Sequence, residues 1–168
     1  MSFELITIPC LSDNYAFILF NAENRSALLV DAPEADPINQ VLSKNNLNLE
    51  KIFLTHHHAD HIDGLDNILE KHSAVTIGAK ADIHRLPKLD EYVQPGDQFI
   101  FQGQAGKVFD VSGHTVGHIA LYISAQNILF SGDSLMALGC GRLFEGSAEQ
   151  MWHSLSSLLS LPDTTQIC

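Results

Sequence analysis

Residues 55–61 read Thr55-His56-His57-His58-Ala59-Asp60-His61, directly after the apolar run 51–54, and no other stretch limits the fold so tightly. His56, His58, Asp60 and His61 fall at spacings of two, two and one. Side chains alternate across a strand and recur every three to four residues on a helix face, so neither element can aim all four donors one way. The run is therefore read as a tight turn at a strand end, with two donors serving one ion and two another. Neutral imidazole and carboxylate are ligands of Zn²⁺ and similar metals. The spacing predicts a two-metal site, with hydrolysis as its chemistry. The run is internal and broken by Ala59-Asp60, which sets it apart from a terminal purification tag. His57 is left out of the ligand set, because its two neighbours point to the opposite side.

Other strand ends supply further donors. His114, within Ser112-Gly113-His114-Thr115-Val116-Gly117-His118, follows a strand-like run ending at Val111. The flanking glycines let the backbone approach closely, and His114 is the expected third ligand of the first ion. His118 is expected to support that loop by hydrogen bonding. Asp133, in Ser131-Gly132-Asp133-Ser134, follows the apolar run 127–130. A lone Asp there would more often cap a turn. As the third strand-end donor in this chain it becomes a candidate bridge, one cation on each oxygen. Asp31, after Val30, is expected to orient the histidine turn from behind. His72, His84 and His153 read as surface or packing residues.

The frame around these donors is strand-rich. Short β-type runs occupy 3–8, 15–20, 27–30, 51–54, 75–77, 97–101, 107–111, 119–123 and 128–130. Helical periodicity covers 37–44, 64–71 and 148–159, the last with Met151, Trp152, Leu155, Leu158 and Leu159 as its apolar set. Strands and helices mixed without strict alternation predict an α+β fold with two sheets and helices outside them. Residues 164–168 read as the start of a buried strand that is cut off. At 168 residues one domain is expected. A formal charge of −11 opposes nucleic-acid binding, and some of those carboxylates are better read as ligands. No apolar run is long enough to span a membrane. Cys10, Cys140 and Cys168 form neither an even disulfide set nor a Cys-x-x-Cys pair, and the N-terminus has no signal-peptide pattern. The expectation is a cytoplasmic monomer with no nucleic-acid or membrane partner.

With these residues in hand, the chain resembles the metallo-β-lactamase superfamily, and within it the glyoxalase II family, over its whole length. The superfamily signature is His56-x-His58-x-Asp60-His61, then His114, then Asp133. More specific are Pro9-Cys10-Leu11-Ser12-Asp13-Asn14-Tyr15 and Gly139-Cys140-Gly141-Arg142-Leu143-Phe144-Glu145-Gly146. The resemblance implies an αββα sandwich of two mixed sheets flanked by helices, with the site at one edge. It assigns His56, His58 and His114 to metal 1, Asp60 and His61 to metal 2, and Asp133 to a bridge between them. Two divalent ions are implied, zinc as the usual assignment and iron or manganese as alternatives. Arg142 would bind the glutathione moiety, with Phe144 packing where the family often has Tyr. The implied activity is hydrolysis of S-D-lactoylglutathione to D-lactate and glutathione, the second step of methylglyoxal detoxification. A metal-bridged hydroxide would be the nucleophile, with Asp60 and Asp133 as the catalytic carboxylates. On the same resemblance, 1–168 is the catalytic domain without the family's last strand, a further metal-2 histidine and a C-terminal helical domain. The rival readings are another enzyme of this fold, such as a mono-iron persulfide dioxygenase, and a catalytically silent metal-binding domain.

Overall fold

The short apolar runs pair into two sheets. The computed structural model describes residues 2–168. The first sheet takes β1 (Phe3–Cys10), β2 (Asn14–Asn21) and β3 (Ser26–Val30) as an antiparallel meander. Helix α1 (Ala35–Lys44) then crosses over to β4 (Asn48–Phe53), which lies parallel to β3. Two short helices, α2 (Ala59–Ile62) and α3 (Leu65–Leu69), lead to the parallel strands β5 (Val75–Ala79) and β6 (Glu91–Val93). The order is β1-β2-β3-β4-β5-β6.

The second sheet is built from β7 (Gln98–Phe101), β8 (Gln104–Asp110), β9 (Ile119–Ile123) and β10 (Ile128–Phe130), antiparallel throughout. After it come the hairpin β11 (Leu135–Met136) and β12 (Gly139–Cys140), helix α4 (Ala148–Leu158) and strand β13 (Gln166–Ile167). β13 returns parallel to β10, giving the order β13-β10-β9-β8-β7.

Strand alternation explains the layering. On β9, Ile119, Leu121 and Ile123 join the core between the sheets, while Ala120 and Tyr122 face Leu158 of α4. Edge-to-face rings tie the sheets together, with Phe53 and Phe99 centroids 5.8 Å apart and Phe3 and Phe101 6.2 Å apart. Ile38 and Leu42 of α1 and Leu65 and Ile68 of α3 cover the first sheet. The result is the expected αββα sandwich of mixed sheets.

Three local expectations need correction. Helix α4 starts where predicted, under a capping box in which Ser147 and Gln150 exchange hydrogen bonds. Its inward line, however, is Met151, Ser154 and Leu158, and Trp152 and Leu159 are 73% and 83% exposed. Ser154 Oγ donates to the Ser112 carbonyl at 2.6 Å, which turns the helix so that a polar residue faces the sheet. The strand near 164–168 exists, at the edge of the second sheet beside β10, but Gln166 and Ile167 are exposed rather than buried. β6, β11 and β12 were not foreseen, since runs of two or three residues carry no readable alternation.

What this architecture gives the site is a cluster of strand ends. Asp31 follows β3, Thr55–His61 follows β4, Ser112–His118 follows β8, and Ser131–Asp133 follows β10.

Candidate metal centre

The site is organised from behind by Asp31, held in the left-handed region at φ 59°. Its Oδ1 accepts the Thr55 backbone N–H, and its Oδ2 accepts both the Thr55 hydroxyl and His61 Nδ1–H, each at 2.8 Å. The Thr55 hydroxyl has one proton, and Asp31 takes it. Its oxygen therefore accepts from His56 Nδ1–H at 3.0 Å. The tautomer of His56 follows: Nε2 carries a lone pair, and that atom is buried with no hydrogen-bond partner. His114 is fixed the same way, donating from Nδ1 to the Arg142 carbonyl at 2.7 Å. Its Nε2 faces His58 Nδ1 at 3.0 Å and Asp133 Oδ2 at 3.4 Å. On the other side, His61 Nε2 lies 3.2 Å from Asp133 Oδ1. Asp133 thus stands between His61 and His114, one oxygen toward each.

Two donor clusters result, His56–His58–His114 and His56–His61–Asp133, each with its ligand atoms within 4.8 Å of one another. Asp60 is outside both. Its Oδ2 is 3.9 Å from His61 Nε2, its side chain is half exposed, and Asn14 Nδ2 donates to its carboxylate at 3.0 Å and its carbonyl at 2.6 Å.

Electrostatics suit cation binding. Burial, then the neighbouring His118 and His61, hold His56 far below the usual imidazole range. Burial and His114 lower His58 as well. Neutral imidazoles with their lone pairs converging are what a divalent cation requires. His61 differs: burial opposes charge on it, yet Asp31 and Asp133 outweigh that and raise the group to about 10, so a cation there has to displace the Nε2 proton. Burial likewise works against the Asp133 carboxylate, and His61 and His114 nevertheless keep its pKa below the usual value. An orphaned buried acceptor costs about 1–3 kcal/mol. The Nε2 atom of His56 is such an acceptor, and a divalent cation fits it either with His58 and His114 or with His61 and Asp133.

His118 departs from expectation. Neither ring nitrogen has a hydrogen-bond partner, so it does not support its loop in that way. It is fully buried, its ring 4.5 Å from that of His56, and burial with His114 nearby lowers its pKa to about 3. The crowding there explains two glycines. A Cβ on Gly132, at φ 51°, would sit 2.6 Å from His118 Nε2, and one on Gly141 would meet the Asp133 carbonyl oxygen at 1.9 Å.

His57 lies outside both clusters and bonds Asp82 Oδ2 through Nδ1 at 2.8 Å. His72 bonds Asn39, and His84 and His153 are exposed. Arg142 and Phe144, both exposed, stand over the histidines. The Phe144 ring lies 5.5 Å from His58 and 5.3 Å from His114, and the Arg142 guanidinium lies 5.1 Å from the Phe144 ring. Beside His61 and Asp133 opens a cleft of about 700 Å³, lined by Tyr15, Phe17, Met136 and Ile167 among others. Sequence reasoning did not single out Asn14, Thr55, Asp82, Arg85 or Glu145. Asn14 and Glu145 fall in quoted motifs and Thr55 adjoins the histidines. Asp82 and Arg85 carry no local signal.

The αββα sandwich and a histidine–carboxylate cluster at the strand ends define a candidate divalent-metal site. Residues 14–168 match the metallo-beta-lactamase superfamily, and the chain belongs to that superfamily. It is 52% identical over 168 residues to a hydroxyacylglutathione hydrolase of Ruegeria pomeroyi, covering all of this chain and 66% of the relative. A hydroxyacylglutathione hydrolase of Roseobacter denitrificans is 53% identical over 167 residues, covering 99% of this chain and again 66% of the relative. The chain therefore spans a little under two thirds of the length of these curated relatives. Among solved structures, the BLEG-1 B3 metallo-beta-lactamase superposes with a TM-score of 0.90 at 23% identity, over 98% of this chain and 90% of the other. ETHE1 from Myxococcus xanthus gives 0.79 at 28% identity, over 99% and 74%. TTHA1623, solved in a di-iron-bound form, gives 0.83 at 22% identity, over 96% and 88%. No helix among the described residues is long and apolar enough to cross a membrane.

Proposed function

We propose that this chain is a thioester hydrolase that cleaves S-D-lactoylglutathione to D-lactate and glutathione. The observation that carries the reading is identity of about half the residues with hydroxyacylglutathione hydrolases along the whole chain, in a fold whose histidine-motif residues gather around one centre. His56, His58 and His114 would hold one divalent cation, and His61 and Asp133 a second. Zinc is the metal we propose, since imidazole and carboxylate donors suit it. Such cations, when bound, acidify water toward neutral pH and polarise a carbonyl oxygen.

The chain's own residues do the rest. Thr55 fixes the tautomer of His56 so that its Nε2 lone pair faces inward, and Asp31 orients the His61 ring with Nε2 toward Asp133. Asp133, with one oxygen toward each histidine wall, is placed to keep the two halves of the site in register. Asp60, half exposed beside Asn14, is the carboxylate positioned to take a proton at the rim. Phe144 covers His58 and His114 and limits water from that side. Arg142 offers a positive group to an anionic glutathione in an otherwise acidic protein. The unpaired Cys10, Cys140 and Cys168 support a reducing, cytoplasmic setting, and the −11 charge supports a small-molecule rather than a nucleic-acid partner. We take the working form to be a monomer.

The test is thiol release from S-D-lactoylglutathione by the metal-loaded chain, with zinc content measured in parallel. Turnover that disappears on chelation and returns with zinc supports the assignment. A protein that carries two zincs and releases no thiol overturns it.

A further inference from the structure

The segment Gly141–Gly146 carries Arg142 and Phe144 over the histidines, yet has no helix or strand of its own beyond Cys140. Its inner edge is tied by backbone. The Gly141 N–H donates to Ser134, Phe144 N–H to the His114 carbonyl at 3.2 Å, and Gly146 N–H to the Gly113 carbonyl at 3.0 Å. Its outer edge is tied by charge. Glu145 Oε2 accepts the Val116 N–H at 2.7 Å, and Glu145 Oε1 accepts from Arg85 Nη1. Arg85 also donates from Nη2 to the Val116 carbonyl and from Nε to Asp82 Oδ1 at 2.5 Å. Asp82 is fully buried, and its other oxygen takes His57 Nδ1 at 2.8 Å. The ring closes where His57 Nε2 comes within 3.6 Å of Glu145 Oε1.

One guanidinium thus joins three places that are far apart in sequence: the histidine turn through Asp82, the His114 loop through Val116, and the segment bearing Arg142 and Phe144 through Glu145. None of these groups is a ligand candidate, and no step above uses them. Burial works against charge on Glu145, but the Val116 N–H and Arg85 keep it below the usual carboxylate range. A planar fork can serve several acceptors at fixed angles, which a lysine cannot reproduce.

We propose that Arg85, clamped between Asp82 and Glu145, is a positioning residue that holds the 141–146 segment over the metal centre and so sets affinity for the thioester. The clamp itself rests on geometry. Its effect on the substrate rests on the proposed function, in which Arg142 and Phe144 meet the glutathione portion. Loss of the clamp loosens the outer edge of the segment, while its inner-edge backbone bonds, with the Arg142 carbonyl still accepting from His114 Nδ1, keep His114 in place.

The experiment compares the full chain with Arg85→Met, Arg85→Lys and Glu145→Gln by amide hydrogen exchange, metal content and thioester kinetics. In Arg85→Met and Glu145→Gln, protection at Phe144 and Gly146 falls by about tenfold or more, while strand amides such as Leu29 and Ile52 keep theirs. KM for S-D-lactoylglutathione rises about tenfold, and kcat and metal content change less than about twofold. Arg85→Lys recovers only part of both effects. Should Arg85→Met fail to fold, Glu145→Gln carries the test, since its side chain still accepts the Val116 N–H. Unchanged protection at Phe144 and Gly146 in the folded variants overturns the proposal. So does a loss of protection shared equally by the core strands and accompanied by metal loss, which is the mark of a purely structural role. If the unaltered chain releases no thiol, the proposed function fails, while the exchange comparison still judges the clamp.

Discussion

The two walls of the metal centre are built to different standards. His56 and His114 are buried, and each has its far nitrogen committed to a hydrogen bond that fixes the near one. Asp60 lines the open side, with a side-chain exposure of 50% against 22% for Asp133, and its carboxylate accepts from Asn14 and lies 3.9 Å from His61 Nε2. The difference separates two jobs. A wall whose rotamers are locked can hold a cation, whereas a rim that remains partly solvated can follow a reacting group and exchange protons with water.

Substitutions can break or sharpen that contrast. The largest effect is expected from His56→Ala, because His56 belongs to both donor clusters. Metal content and thioester turnover should both collapse, turnover by on the order of 10³-fold. Retention of most of the activity would place the cations elsewhere. Next is Asp31→Asn, which tolerates the left-handed backbone but offers a donor where Thr55 and His61 need acceptors. Metal affinity, measured by chelator competition, should drop roughly 10–100-fold. Asp60→Asn is milder: kcat falls roughly tenfold with the metal retained, as suits a proton-handling group at the rim. If Asp60→Asn strips the metal as readily as Asp31→Asn, the contrast between wall and rim is lost.

The most gradual effect is that of pH on the metal-stripped protein. The folded pKa of His118, about 3, lies below the ~6.5 of an unfolded histidine, so its stability is intact above ~6.5 and declines as pH falls toward 3. His61 behaves oppositely. Its folded value of about 10 exceeds the unfolded one, so its contribution is full below ~6.5 and is lost as pH rises through about 10. Thermal melts in chelator should therefore peak between these windows and fall by at most about 1.4 kcal/mol per pH unit per group. A melting temperature that holds level across the acid window would mean that His118 is not buried as described.

What could be read in advance followed from spacing and strand ends. The pattern His56-x-His58-x-Asp60-His61 placed the donors on a turn after β4, and the apolar runs before Ser112 and Ser131 brought in His114 and Asp133. Asp31 was found for the same reason. Interactions between distant segments escaped. His118 lies against Gly132, where a Cβ would reach both its Nε2 and the Thr55 hydroxyl, so its surroundings are set by the segments after β4 and β10. Arg85 and Asp82 sit in the irregular stretch after β5, and nothing local marks them as partners of Glu145, sixty residues on. The outward turn of Trp152 is likewise decided by Ser112, a residue of a different loop.

The hydroxyl of Thr55 has a further consequence. Because its one proton goes to Asp31 and its oxygen is taken by His56, the imidazole has no second tautomer or ring flip that keeps both of these hydrogen bonds. The site has therefore surrendered this rotational freedom during folding, when packing of the core supplies the compensating free energy, and an arriving cation meets a receptor already in shape. Thr55→Val keeps the volume and removes the hydroxyl. Its cost should appear chiefly as an entropic penalty in calorimetric titration of the metal.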